Sequence, residues 1–337
     1  STHHVWHEEY STVNAFIIGA GFTRAVFPHA PLNGDLLRVL AGKSADSVAT
    51  ILRDRYRTDD IEIALTRLDS DIAIRRGGMG LSAEEGHSLR NRIQEELGDY
   101  FTSFVASDEL FVRSPWLTQL IDEGFADGDV AISLNYDCVL EGALDCCGKW
   151  SPKGGYGSPF SHPLVRGDGF ADSPVTVLKI HGSASFVIAP YIGKPEASAV
   201  NFVFDERFFP RSAKNSHLGY GAGTGSAYLI APSYVKIPTV EITYLMLDAL
   251  RASAAAMNLV IIGSALRPED GFLTMLVTSF LRHPDWQNRR ILIIAPAANS
   301  IANRLKNFWG VNISKQITPI EGCLETCAQR LVKLLSE

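Results

Sequence analysis

The sequence predicts an α/β fold: a Rossmann-like parallel sheet with helices on both faces, plus a helical insertion. Three observations carry this. Ala15 to Arg24 reads Ala-Phe-Ile-Ile-Gly-Ala-Gly-Phe-Thr-Arg, a short apolar run that meets a glycine turn and the start of a helix. Further apolar runs of strand length, Asp129 to Leu134, Val175 to Ile180, Leu259 to Ile262 and Ile291 to Ala295, alternate with helical segments. Between 44 and 112 the spacing is helical throughout and no strand interrupts it.

Taken in order, residues 1–14 are polar and aromatic without a period and read as an arm. The turn Gly19-Ala20-Gly21 has two readings, a phosphate cradle at a helix N-terminus or close strand–helix packing. Pro28, Pro31 and Gly34 break the following segment, and Pro31 to Asp35 is expected to be a mobile loop. Thr58-Asp59-Asp60 caps a helix carrying Ile61, Leu65 and Leu68, and Glu84 to Phe104 forms a second amphipathic helix beyond the Arg75-Arg76 loop. The insertion therefore spans 44–112, and the sheet domain comprises 15–43 and 113–337. Lys149 to Asp172 is dense in Gly, Pro and Ser and reads as surface loop. Residues 186–225 show no regular period and are expected to be irregular, as a lid or loop. Thr239 to Met257, Gly271 to Leu281, Ser300 to Phe308 and Glu321 to Leu335 complete the helices.

Composition bounds the function. The 337 residues are 46% hydrophobic and 20% charged, enough for one large or two modest domains. A net charge of -6 leaves no basic excess to displace counterions, so direct nucleic-acid binding is not expected. The five cysteines, Cys138, Cys146, Cys147, Cys323 and Cys327, form no disulfide framework and fit a reducing compartment. No run approaches the roughly 20 apolar residues that span a bilayer. The first residues, rich in His and Glu, do not read as a secretion signal, so a cytoplasmic protein without membrane contact is expected.

In doubly wound sheets ligands lie beyond the carboxyl ends of the strands. Four such ends carry Gly19-Ala20-Gly21, Asn135-Tyr136-Asp137, His181-Gly182-Ser183 and Gly263-Ser264. This set resembles the Sir2 family, the NAD-consuming fold shared by sirtuin deacylases and bacterial NAD-degrading defence proteins. Gly19-Ala20-Gly21-Phe22-Thr23 is similar to the family's Gly-Ala-Gly motif, with Thr for Ser; Asn135-Tyr136-Asp137 matches its Asn-x-Asp motif, and Lys179-Ile180-His181-Gly182-Ser183 its Lys-Leu-His-Gly-Ser segment. The resemblance spans roughly residues 15–300. It departs from the deacylases in three places. Their paired zinc cysteines are absent, since Ser183 to Leu324 holds only Cys323; the glutamine before the Asn motif is Leu134; and their Gly-Ile-Pro-x-Phe-Arg loop is replaced by Pro31-Leu32 followed by Leu36-Leu37, which looks like the defence proteins.

The resemblance implies NAD as substrate, without a metal. Cleaving the ribose–nicotinamide bond builds an oxocarbenium-like centre and expels a neutral leaving group, so what helps is a base and groups that hold the ribose. His181, with an ordinary pKa of about 6.5, is the strand-end residue suited to be that base, and Asn135 to orienting the ribose or the attacking water. Asp137 is expected either to accept from the nicotinamide carboxamide or to cap the helix after it. Thr23 and Arg24 are assigned to the phosphates with Gly19, Ala20 and Gly21, and Gly263, Ser264 and Asp270 to the adenosine end. The function expected is an NAD+ hydrolase that depletes NAD in antiviral (antiphage) defence, as a homo-oligomer or with a partner such as a HerA-like ATPase or an Argonaute-type protein. The alternatives are a non-catalytic module sensing NAD or an ADP-ribose derivative, and an NAD-dependent protein deacylase.

Overall fold

Every residue of β1 (Asn14–Ile18) is buried, because helices cover both faces of the sheet to which it is central. The computed structural model describes residues 13–44, 46–74, 81–157, 173–191, 194–203, 205–214, 227–230, 232–233, 238–267 and 270–337. The Arg75-Arg76 loop, most of the arm and the glycine stretch Gly219 to Gly225 lie outside them.

From β1 the chain enters α1 (Ala20–Val26), α2 (Asn33–Ala41), α3 (Val48–Tyr56), α4 (Ile61–Ile74), α5 (Ala83–Thr102), α6 (Asp108–Arg113) and α7 (Pro115–Gly124). It then forms β2 (Val130–Ser133), α8 (Val139–Cys146), α9 (Pro152–Gly155), β3 (Thr176–Lys179), β4 (Gly182–Tyr191), β5 (Lys194–Phe202), α10 (Pro210–Lys214) and β6 (Ala227–Leu229). The last third runs α11 (Val240–Ala255), β7 (Asn258–Ile262), α12 (Gly271–Leu281), β8 (Arg290–Ala295), α13 (Ala298–Trp309), β9 (Ile317–Glu321) and α14 (Leu324–Ser336).

Six of the strands make one parallel sheet in the order β3-β2-β1-β7-β8-β9. The chain builds outward from β1 to β3, then crosses back to add β7, β8 and β9 on the other side. That reversal opens a crevice between the carboxyl ends of β1 and β7, which is where such sheets bind ligands. The Rossmann-like architecture is therefore the one the sequence predicts.

Three local expectations are corrected. The segment Pro31 to Asp35 is not a loop: Asn33, Gly34 and Asp35 form the first turn of α2, since Pro31 sits outside the helix and burial of Leu36, Leu37 and Leu40 holds it in place. Residues 186–225 are not irregular throughout, because β4 and β5 pair antiparallel and β6 adds to β4, giving a second, three-stranded sheet. Its strand period was hidden by small and polar residues such as Ser185, Ser198 and Asn201. The strand β9 was also missed; Pro319 masks it, and the structure tolerates that proline because β9 lies at the sheet edge, paired with β8 alone.

The helices of the insertion do not stand apart from the sheet domain. Helix α2 packs on α3 and α4, and α5 lies against β4 and β6. There the Gln94 amide donates to the Leu229 carbonyl at 2.6 Å, and a Cβ on Gly98 would lie 2.7 Å from that of Ala227. Buried residues of the insertion and of the sheet belong to one continuous core. The start of α4 is capped as the sequence predicts, by Asp60 Oδ1 accepting from the amides of Glu62 at 2.8 Å and Ile63 at 3.2 Å. Among the described residues no helix is long and apolar enough to cross a membrane.

Candidate functional site: a cleft where the strand order reverses

The glycines at the ends of β1 and β7 fit two loops against each other. Gly21 N–H donates to the Gly263 carbonyl and Gly19 N–H to the Ile262 carbonyl, both at 2.9 Å. A Cβ on Gly19 would lie 2.7 Å from the Gly263 oxygen, and one on Gly21 2.7 Å from Gly263 Cα. Gly263 itself has φ +62°, and its Cβ would meet Phe22 N at 2.5 Å. Both strain and clash therefore exclude a side chain there. Gly263→Ala is expected to lower stability by at least about 1–3 kcal/mol, the usual cost of a forced left-handed residue, read as a fall in the denaturant midpoint. Close packing accounts for both glycines of the first turn, since the N–H groups of Gly19 and Gly21 are already bonded and neither has room for a side chain; Gly19 and Ala20 also line the cleft.

That cleft holds about 230 Å³ of water-accessible space. Asn135, His181, Gly263 and Ser264 line it together with Asp270, so residues from four strand ends converge as the sequence reading expects. Gly21, Thr23, Arg24 and Asp137 do not line it. Arg24 is exposed on α1, away from the lining, so Arg24→Ala is expected to leave the affinity for ADP-ribose within about twofold, as an exposed charge remote from a ligand does; titration calorimetry checks this.

Thr23 and Asp137 lie beneath the cleft and hold Asn135. The Asn135 amide donates from Nδ2 to the Gly19 carbonyl at 3.1 Å and to Thr23 Oγ1 at 3.0 Å, while Thr23 donates to Asp137 Oδ2 at 2.8 Å. The Gly19 carbonyl can only accept, which assigns the amide nitrogen to that side and leaves Oδ1 of this cleft-lining residue as an acceptor. Asp137 Oδ1 accepts from the Val139 amide at 3.1 Å, at the first residue of α8, which fits the capping reading, and Asp137 does not line the cleft. Below it Lys179 Nζ donates to the Asp137 carbonyl at 2.5 Å and pairs with Glu141 Oε1 at 3.1 Å, both side chains fully buried. Burial pushes the Asp137 and Glu141 carboxyls up despite Lys179. Burial also works against the Lys179 charge, yet Glu141, with Cys138 and Asp137, holds its pKa above the ordinary value.

His181 enters the cleft where β3 ends. Its backbone carbonyl accepts from the Ile230 amide at 2.9 Å, and its Nδ1 faces the Leu134 carbonyl at 3.3 Å. A carbonyl only accepts, so Nδ1 carries the proton and neutral His181 keeps its lone pair on Nε2. Asp270 Oδ2 stands 3.8 Å from Nε2, close enough to stabilise the imidazolium once it forms. The other oxygen of Asp270 caps α12, accepting from Phe272 N at 3.2 Å and Leu273 N at 3.4 Å, which fixes the carboxylate. Ser264 Oγ accepts from the Leu266 amide at 3.2 Å and lines the same wall.

Tyr136, Glu62 and Arg267 are among the lining residues without a site role in the sequence reading. Tyr136 lies between two matched motif residues, and its hydroxyl donates to the Ile230 carbonyl at 2.8 Å, bracing the chain beside His181. Glu62 arrives from the insertion and Arg267 from the loop after β7. Neither carries a signal in the sequence, since only the tertiary placement of the start of α4 beside the loop after β7 brings them together. Among the described residues no three His, Cys, Asp or Glu side chains gather as a metal site.

The sequence matches no protein-family model, and a search of curated proteins returns no match. Solved structures that it resembles include Sir2 proteins. A Sir2 homologue in complex with NAD aligns over 97% of this chain and 90% of its own, at 12% identity and a TM-score of 0.47. A Sir2 homologue variant bound to ADP-ribose aligns over 97% and 92%, at 14% identity and a TM-score of 0.43. A structure describing sirtuin substrate affinity aligns over 96% and 93%, at 11% identity and 0.42. Likeness at this level carries no argument about binding or chemistry, which must come from the residues of the cleft.

Proposed function

We propose that this protein is an NAD+ glycohydrolase that cleaves the nicotinamide–ribose bond and releases nicotinamide and ADP-ribose. The observation that carries the reading is the pairing, in one cleft at the reversal of strand order, of an oriented amide with an oriented imidazole: Asn135 held by Gly19 and Thr23, and His181 held by the Leu134 carbonyl. As the bond from ribose C1′ to the ring nitrogen breaks, its electrons leave with neutral nicotinamide and positive charge builds on the ribose. Asn135 Oδ1 accepts from a ribose hydroxyl or the attacking water. His181 Nε2 removes the proton of that water as its oxygen bonds to C1′, and Asp270 stabilises the resulting imidazolium. The resemblance of the motifs supports NAD as substrate and NAD depletion in antiviral defence as the setting, with a homo-oligomer or a defence partner restraining the activity.

The test is product analysis. Protein incubated with NAD, alone and with an assembly partner, is expected to yield equal amounts of nicotinamide and ADP-ribose. NAD left intact under both conditions, with ADP-ribose still bound, identifies a sensor instead; NAD-dependent turnover of an acyl-lysine peptide identifies a deacylase.

A further inference from the structure

Arg267 is the one Lys or Arg among the described residues that line the cleft, and two carboxylates, Glu62 and Asp270, line it as well. A dinucleotide brings a diphosphate, and two carboxylates would repel it. The residues just before Arg267 are held in place. Leu266 holds a left-handed conformation at φ +44°, a conformation that costs about 1–3 kcal/mol for a residue with a side chain. Arg304 of α13 keeps it there by donating to the carbonyls of Ala265 and Leu266. Arg267 also lines a neighbouring cavity of about 300 Å³, and its side chain is 39% exposed.

At present that guanidinium is engaged by the insertion. Arg267 Nη1 donates to Glu62 Oε2 and lies 3.8 Å from Asp60 Oδ2. Glu62 is held in turn by Asn33, whose Nδ2 donates to its Oε1 at 2.8 Å. Three separate parts of the chain therefore meet across the cleft: the start of α2, the first turn of α4 and the loop after β7.

Resting on the NAD reading above, we propose that Arg267 is the cation that receives the diphosphate, and that Glu62 of the helical insertion competes for it. Guanidinium binds carboxylate and phosphate through the same forked geometry, so the two anions exclude each other at its inner face. The position of the insertion then sets the affinity of the cleft for its substrate. A movement that draws α4 away frees the arginine, and one that presses it home weakens binding, which gives a partner or a second copy a handle on a reaction that must be restrained.

The experiment measures binding of ADP-ribose and of inorganic pyrophosphate to the full chain by calorimetry. Glu62→Gln keeps an acceptor for Asn33 and removes the competing charge, so it is expected to tighten both probes by roughly threefold to tenfold, the range a partly exposed ion pair allows. Arg267→Ala is expected to weaken both by about tenfold or more, with Arg267→Lys in between because it restores charge without the fork. In the double variant the Glu62→Gln gain disappears, which an unrelated structural effect would not produce. Unchanged or weaker binding by Glu62→Gln overturns the proposal, as does undiminished binding by Arg267→Ala; if Arg267→Ala fails to fold, the Glu62→Gln and Arg267→Lys results decide. If pyrophosphate follows this pattern but NAD is neither bound nor cleaved, the NAD reading fails and the anion site stands. If NAD is cleaved yet the variants bind like wild type, the competition is overturned and the reading stands.

Discussion

Replacing His181 with alanine is expected to cut nicotinamide release at least about 100-fold, the lower range for loss of a positioned general base, while ADP-ribose affinity changes little. The split follows from the geometry. His181 is placed to take a proton, with its Nδ1 facing a carbonyl and its Nε2 facing Asp270, and neither feature belongs to binding of the ground state. Asn135→Ala is expected to lose turnover comparably but to weaken binding as well, because it removes the acceptor and frees Thr23 and the Gly19 carbonyl from their present partner. Steady-state rates with calorimetric affinities separate the two. Loss of affinity without loss of rate in His181→Ala would move the base elsewhere.

Lys179→Met is expected to destabilise the fold by about 3–5 kcal/mol, the usual cost of leaving a buried charge without its partner. Lys179 and Glu141 are both fully buried, Tyr156 donates to the same carboxylate oxygen at 3.3 Å, and Asp137 lies above the same ammonium. Removing the cation removes what lowers both carboxyls, so their folded pKa values rise further above the unfolded values near 4. A carboxyl raised on folding contributes stability below its unfolded pKa and loses it as pH rises through the folded value. The deficit of Lys179→Met is therefore expected to be smaller near pH 5 than near pH 8, and denaturant melts at the two values check it. A pH-independent deficit would assign the loss to packing alone. The double variant Lys179→Met with Glu141→Gln is expected to recover part of it, since it removes one of the stranded charges.

The sheet was legible because its signals are local. β1, β7 and β8 are mostly Ile, Leu, Val and Phe, their burial on both faces leaves no alternation to obscure them, and each is followed by a glycine or proline that marks its end. Asn135 and His181 were legible as strand-end residues for the same reason. The second sheet was not, because the β4–β5 pair contains Ser, Ala and Lys where a period needs contrast, and pairing rather than composition makes it a sheet. Thr23 and Asp137 were recognised as members of the site, Asp137 either as a ligand contact or as a helix cap, and the bond it accepts from the Val139 amide fits the second. Sequence places each near a ligand-binding end, whereas their hydrogen bonds run to each other and to Asn135.

What the sequence by itself determined is the parallel sheet, its glycine turns and the pair of residues proposed to carry the reaction, since apolar period and chain-breaking residues act over a few neighbours. Only the tertiary structure decided who serves whom: Thr23, Asp137 and Lys179 support Asn135 from below, Asp270 stands beside His181, and Glu62 meets Arg267 across the cleft. Glu62 and Arg267 are 205 positions apart in the chain. Contacts between them depend on where the start of α4 comes to lie beside the loop after β7, and no local pattern of residues encodes that distance.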